Sequence, residues 1–306
     1  MSLVLTLELV KRYGSVVALD GLNLAVPKGS ICGVVGPNGS GKTTMFGVIA
    51  GLLIPDSGSV TLFGEGPFDP RRHAGRVGLM PQDSSPSPHA TLRQSLTYYA
   101  ALQGMDRLAA RREADHWLGR VQLADRKNSR QGQLSHGMRR RFSLAQAFLG
   151  SPELVLLDEP TAGLDPELVA DMRGLFSERR GDATVMISSH VLSELEDVCD
   201  YAVFIEGGRI VRQGSMQSLL QADTLVRVRL TKEPDVVALR QVVEGASSID
   251  WQAPWLNVRL SGAQPIEVAN ARILRALLDQ GAGIISLETG QSLEASYLAT
   301  RQRSLT

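Results

Sequence analysis

Leu3, Leu5, Leu7 and Leu9 fall at every second position, the period of a strand with one buried face. Residues 1 to 30 read as short strands, LTLELV, VVAL and LNLAV, closed by Pro27-Lys28-Gly29. Ser30 to Val35 is a nearly continuous apolar run and predicts a strand buried on both faces. Residues 41 to 52 then change to helical spacing, with Met45, Ile49 and Leu52 on one face, before a strand at about Ser59 to Phe63. Helical patterns fill most of residues 91 to 123 and loop continues to 133, so residues about 85 to 135 read as a helical insert. A helix from Ser135 buries Phe142, Ala145 and Leu149, and the strand LVLLD, residues 154 to 158, follows. Asp165 before Pro166 is a capping residue followed by proline at the first helical position, and Leu168, Met172, Leu175 and Phe176 continue that stripe. TVMISS, 184 to 189, is a further strand, and AVFIE-GG-RIVRQ is a hairpin with a two-glycine turn.

Strand and helix alternate from Ser30 to about Leu220, which predicts an α/β domain over residues 1 to 220 with a mostly parallel sheet covered by helices. From Thr224 the order becomes β-α-β-β-α-β, the ferredoxin-like α+β signature, so residues 224 to 306 read as a separate accessory domain.

Composition narrows the picture without changing it. Of 306 residues, 32 are acidic and 32 are Lys or Arg, and this balance argues against a general nucleic-acid binder. Cys32 and Cys199 lie in apolar surroundings and read as small buried residues in a reducing compartment. Glu8 interrupts any leader-like apolar segment, and no run approaches the ~20 apolar residues of a membrane span. If a membrane is involved, another chain must cross it. His73, His89, His116, His136 and His190 are scattered and predict no metal cluster, while Arg139, Arg140 and Arg141 read as a solvated helix face.

Two motifs carry chemistry. Gly36-Pro37-Asn38-Gly39-Ser40-Gly41-Lys42-Thr43-Thr44 follows a strand and opens a helix, the context of a phosphate-binding loop. Backbone N–H groups and the helix N-terminus there suit anionic phosphates, Lys42 neutralises charge at the β and γ positions, and the Thr43 hydroxyl reaches Mg²⁺. The second motif is Asp158-Glu159 at the end of LVLL, and ligands of such sheets sit at the carboxyl ends of the strands. Asp158 is placed to hold the metal shell, and Glu159 to polarise or deprotonate an attacking water.

With these residues in hand, the chain resembles the ATP-binding cassette (ABC) ATPases over roughly residues 3 to 220. LSHGM, 134 to 138, stands where that family has LSGGQ; AGLD, 162 to 165, matches its D loop, Gln82 its Q loop, and His190 its switch histidine. The resemblance implies a RecA-like core with antiparallel β and helical subdomains, ATP and Mg²⁺ as ligands, Tyr13 as the shelf for adenine, and γ-phosphate contacts from His190. It also implies that Asp165 of the D loop binds nucleotide, and that Ser135 and Gly137 serve the nucleotide of a second subunit, so that ATP closes a head-to-tail dimer. Gln82 would touch both Mg²⁺ and water, joining Thr43 and Asp158 around the metal, and would sense a membrane partner. His136 and Met138 depart from the family signature.

LSHGM followed by three arginines, a single cassette and an appended domain ending in SLEASYL look like the ATPase subunits of ABC-2 type exporters. This implies an ATPase on the cytoplasmic face of the inner or plasma membrane, peripheral through a polytopic permease and paired with a second ATPase subunit as a homodimer. The alternatives are the ATPase of an importer, or a soluble cassette ATPase acting on ribosomes or DNA. Against the latter, the chain has neither two cassettes nor a long coiled coil between its motif groups, and a GTP switch would need an NKxD motif that is missing.

Overall fold

A bulge decides how the N-terminal strands are used. In the computed structural model, which describes residues 2–82, 89–161, 166–191, 193–221, 224–260 and 266–290, β1 (Ser2–Tyr13) pairs antiparallel with β2 (Val16–Pro27). The register shifts between Thr6 and Leu9, where Glu8 takes φ 47°. An extra residue in one strand moves the buried face. Val4, Thr6 and Leu9 are therefore inside and Leu7 is 52% exposed, so the strict alternation of leucines is not kept. VVAL and LNLAV belong to one continuous strand rather than two.

β3 (Ile31–Val35), α1 (Lys42–Ile49) and β4 (Ser57–Leu62) follow, and β4 completes a three-stranded antiparallel sheet of order β2-β1-β4. α1 ends earlier than the apolar spacing implied. Gly51 at φ 72° turns the chain, Leu52 N–H bonds back to the Gly47 carbonyl, and Leu52 is exposed.

β5 (Val77–Met80) precedes the helical hairpin of α2 (Leu92–Leu102) and α3 (Arg107–Arg120). Thr91 and Gln94 form a capping box at the start of α2, and Asp106 accepts from Leu108 and Ala109 N–H at the start of α3. Those two donors hold the Asp106 carboxyl below its ordinary pKa.

α4 (His136–Phe148), β6 (Leu154–Asp158), α5 (Pro166–Ser177), β7 (Thr184–Ser189), α6 (Ser193–Glu196), β8 (Tyr201–Glu206) and β9 (Arg209–Ser215) complete the alternation. They form a six-stranded sheet of order β5-β6-β7-β3-β8-β9, in which β5 through β8 pair in parallel and β9 returns beside β8 through Gly207-Gly208. Cys32, Val34, Leu156, Met186 and Val203 of the sheet pack with Phe46 and Ile49 of α1 in one core. Burial raises both thiols, Cys199 to about 12, so they stay protonated. On α4, Phe142, Ala145 and Phe148 are buried, and the Phe148 ring stacks between Trp117 at 5.3 Å and Phe176 at 6.3 Å.

The chain divides into two units, Met1–Gln213 and Gly214–Thr306, with the division inside β9. The second unit holds α7 (Met216–Gln221), β10 (Thr224–Leu230), α8 (Val236–Val242), β11 (Ala246–Gln252), β12 (Trp255–Leu260), α9 (Ile266–Asp279) and β13 (Ile284–Gly290). From β10 onward this is a β-α-β-β-α-β succession, and its sheet has the order β11-β12-β10-β13 with antiparallel pairs. Val226, Val228, Ile249, Leu256, Val258, Ile273 and Leu277 make its own core. The SLEASYL segment lies outside the described residues. No helix among the described residues is long and apolar enough to cross a membrane.

At Gly78 of β5, α4 lies close against the sheet: a Cβ there would sit 1.9 Å from the Ala147 carbonyl oxygen. Gly78→Ala must therefore push α4 outward, and we expect it to destabilise the first unit by about 1–3 kcal/mol, read as a lower midpoint in thermal unfolding followed by circular dichroism. An unchanged midpoint would mean that α4 is not seated on β5 in this way.

Candidate functional site

The parallel register places the chemistry. β3 lies between β7 and β8, and β6 lies on the other side of β7, with Val35 opposite Ser189 and Asp158 opposite Ser188. The carboxyl ends of three neighbouring strands thus deliver the 36–44 loop, Ser188-Ser189-His190 and Asp158-Glu159 to one edge.

Two loop glycines are required by space. A Cβ on Gly36 would lie 2.3 Å from the Ile205 carbonyl oxygen and 2.6 Å from Ser40 Oγ. Gly41 takes φ 107° and a Cβ on it would meet the Ala18 carbonyl at 2.5 Å. The loop closes through Ser40 N–H to Pro37 O, and α1 begins with Met45 N–H to Gly41 O. Lys42 is buried, and its ammonium donates to the Gly36 carbonyl at 2.7 Å and the Pro37 carbonyl at 3.2 Å. Around it is a cleft of about 510 Å³ lined by Tyr13, Asn38, Gly39, Ser40, Gly41, Lys42, Thr43, Thr44, Gln82 and Glu159, together with Val16, Val17 and Ala18. The Tyr13 ring is half exposed, with the Lys11 ammonium 5.8 Å from its centroid. Thr43 Oγ1 and Gln82 Oε1 stand 3.5 Å apart.

Glu159 occupies the tightest position. Its side chain is 8% exposed, with Oε1 3.5 Å from Lys42 Nζ and Oε2 2.9 Å from His190 Nδ1. Its backbone is left-handed at φ 50°, which costs a non-glycine residue about 1–2 kcal/mol. The turn is held from both sides. Glu159 N–H donates to Ser188 Oγ at 2.8 Å, and the Ser188 hydroxyl donates to Asp158 Oδ1 at 2.6 Å. The Glu159 carbonyl accepts from Arg140 Nη1 at 2.8 Å. Among the described residues, Ser40 Oγ and Glu159 Oε1 are buried without a hydrogen-bond partner, which is the condition a polar ligand in the cleft relieves.

Not every residue singled out in the sequence comes to this cleft. Ser135 is exposed at the start of α4, where its Oγ accepts from Met138 N–H at 3.3 Å, and neither it nor Gly137 lines the cleft. Asp165 and the rest of AGLD lie outside the described residues. Ser188 and Arg140 were missed. The three arginines are not simply a solvated face: Arg139 reaches the Leu134 carbonyl, Arg141 those of Val121 and Gln122, and Arg140 that of Glu159. Helical spacing gives the direction of such side chains but not the carbonyl at the far end.

The match to known proteins agrees with this geometry. The family model for the ABC transporter matches residues 19–162. A Nod factor export ATP-binding protein I of Burkholderia pseudomallei (strain 1710b) is 34% identical over 307 aligned residues, covering 97% of this chain and 96% of the relative. The chain belongs to the ABC transporter ATPase family. A daunorubicin resistance ATP-binding protein of Streptomyces coeruleorubidus is 38% identical over 217 residues, 69% of this chain and 66% of its own length. Among solved structures, an ATP-binding subunit of an ABC transporter superposes with a TM-score of 0.65 at 25% identity, over 71% of this chain and 92% of that one. A dimeric cassette in a post-hydrolysis state with ADP and phosphate, 23% identical, shares the fold with a TM-score of 0.64 over 70% of this chain and 98% of that one. This ABC ATPase binds and hydrolyses ATP, and its relatives include exporter-type ATP-binding proteins.

The Ser188 hydroxyl serves two partners at once. Ser188→Ala leaves Asp158 Oδ1 and the Glu159 N–H without it in a buried setting, and a loss of about 1–3 kcal/mol in urea-unfolding free energy is expected, with ATP turnover falling as well. Unchanged turnover in the folded variant would show that the turn does not depend on this hydroxyl.

Proposed function

We propose that this ABC ATPase is the energy-coupling subunit of an exporter, driving a separate polytopic membrane permease through closure and reopening of a pair of cassettes. The observation that carries the reading is the buried Glu159 carboxylate at the cleft, its Oε1 in an ion pair with Lys42 and its Oε2 against His190. The names of its relatives, which speak of Nod factor export and daunorubicin resistance, support the exporter class.

In this reading the N–H groups of residues 36–44 and the N-terminus of α1 hold the phosphates of ATP, with Lys42 supplying positive charge. Tyr13 offers its exposed ring to the adenine. Oxygen donors suit a hard cation, so Thr43, Gln82 and Asp158 would hold Mg²⁺, which would supply charge neutralisation on the phosphates. Glu159 accepts the proton of the attacking water. His190 fixes the orientation of that carboxylate and, being about half exposed, reaches toward the γ-phosphate. Gln82 relates the site to the permease.

Ser135 and Gly137 sit at the beginning of α4 and away from their own cleft, which supports a role at the nucleotide of a second copy, and the family resemblance alone assigns Asp165 to nucleotide binding. ATP then joins two identical subunits, head to tail. The protein is peripheral on the cytoplasmic face of the inner or plasma membrane, and no nucleic acid is needed. We assign residues 1–220 to the cassette, with a helical subdomain at about 85–135, and residues 224–306 to an accessory domain of the ferredoxin-like class that stabilises the pair.

Glu159→Gln is nearly isosteric and keeps a hydrogen-bonding group toward His190. It is expected to leave nucleotide affinity within a few-fold, to slow steady-state hydrolysis at least ~100-fold, and to hold an ATP-dependent dimer on size exclusion. Hydrolysis at the normal rate would remove Glu159 from its role.

A further inference from the structure

Arg140 is the one basic residue of the α4 trio whose guanidinium reaches the catalytic turn. Its Nη1 donates to the Glu159 carbonyl at 2.8 Å and lies 3.5 Å from the Asp158 carbonyl. The side chain is half-buried, and among the described residues no carboxylate pairs with it. A charged donor given wholly to backbone carbonyls makes a stronger bond than a neutral one.

The peptide it grips is unusual. Glu159 stands at φ 50°, a conformation that persists only where its surroundings hold it. Ser188 on β7 holds the N–H side and Arg140 on α4 holds the carbonyl side. α4 itself starts at Ser135, so Arg140 lies little more than one turn from the residues that face a second subunit.

We propose that Arg140 is a positioning residue that ties the aim of the Glu159 carboxylate to the placement of α4. A displacement of α4 when its N-terminus engages a second subunit is carried by the guanidinium to the Glu159 peptide, and the carboxylate reaches its working orientation only with α4 in place. This rests on the proposed readings of Glu159 as the group that activates water and of the α4 N-terminus as the part that meets a second subunit.

The test uses the full-length protein and steady-state ATP hydrolysis. Arg140→Ala is expected to lower kcat at least tenfold with KM for ATP changed less than twofold, and Arg140→Lys, which keeps a charged donor, to recover part of the loss. Arg141→Ala removes a neighbouring guanidinium that, among the described residues, bonds the Val121 and Gln122 carbonyls, and sets the size of a merely structural effect on Tm. In the Glu159→Gln background Arg140→Ala should cost no further rate, because it acts through that carboxylate. The proposal is overturned if Arg140→Ala keeps its kcat, if its loss tracks Tm as in Arg141→Ala, or if the two losses multiply. Normal turnover by Glu159→Gln alone would instead overturn the reading of Glu159, whereas a slow Glu159→Gln beside a fast Arg140→Ala overturns only the role of Arg140.

Discussion

A carboxylate removed from water needs opposite charge close by, and Glu159 has it on two sides, from Lys42 and, when protonated, from His190. Each partner comes from a different strand end, so this one contact fixes how β3, β6 and β7 must be ordered and registered. Removing the Lys42 ammonium would leave a buried charge short of compensation, a penalty of several kcal/mol in comparable settings. The sheet order with β7 in the middle is what makes the three-way meeting possible.

The same meeting explains why backbone groups are so heavily used. Lys42 is anchored by carbonyls of its own loop, Asp158 and Glu159 by a serine hydroxyl on the next strand, and the Glu159 carbonyl by an arginine from a helix. Anchoring of this kind reduces the number of orientations available to each of these side chains, and preorganised charge costs little to rearrange. The glycines at 36 and 41 belong to the same scheme, since each lets the loop lie against a neighbouring carbonyl.

Much of this was legible in the sequence because it is local. The phosphate loop, the strand that ends in two carboxylates, the serine at the start of α4 and the two-glycine hairpin all lie within short windows whose spacing decides their form. What could not be read was set by distant partners. The β1 alternation fails at Leu7 because a bulge at Glu8 answers to the register with β2, which leucine spacing does not record. Leu52 left the helical face because Gly51 turned the chain first. Ser188 and Arg140 act on groups 30 and 19 residues away along the chain, through contacts that exist only once the sheet is assembled.

Separate cores carry a consequence for descent. The solved cassettes that share this fold align with about 71% of the chain, close to the share taken by the first unit, whereas a Nod factor export relative aligns across 97%. Val226, Ile249, Leu256 and Ile273 close on one another in a core of their own, distinct from the one that holds Val34 and Phe46. The two parts can therefore accumulate substitutions at different rates, and a lineage can refit the appendage to new surroundings while the engine stays as it was.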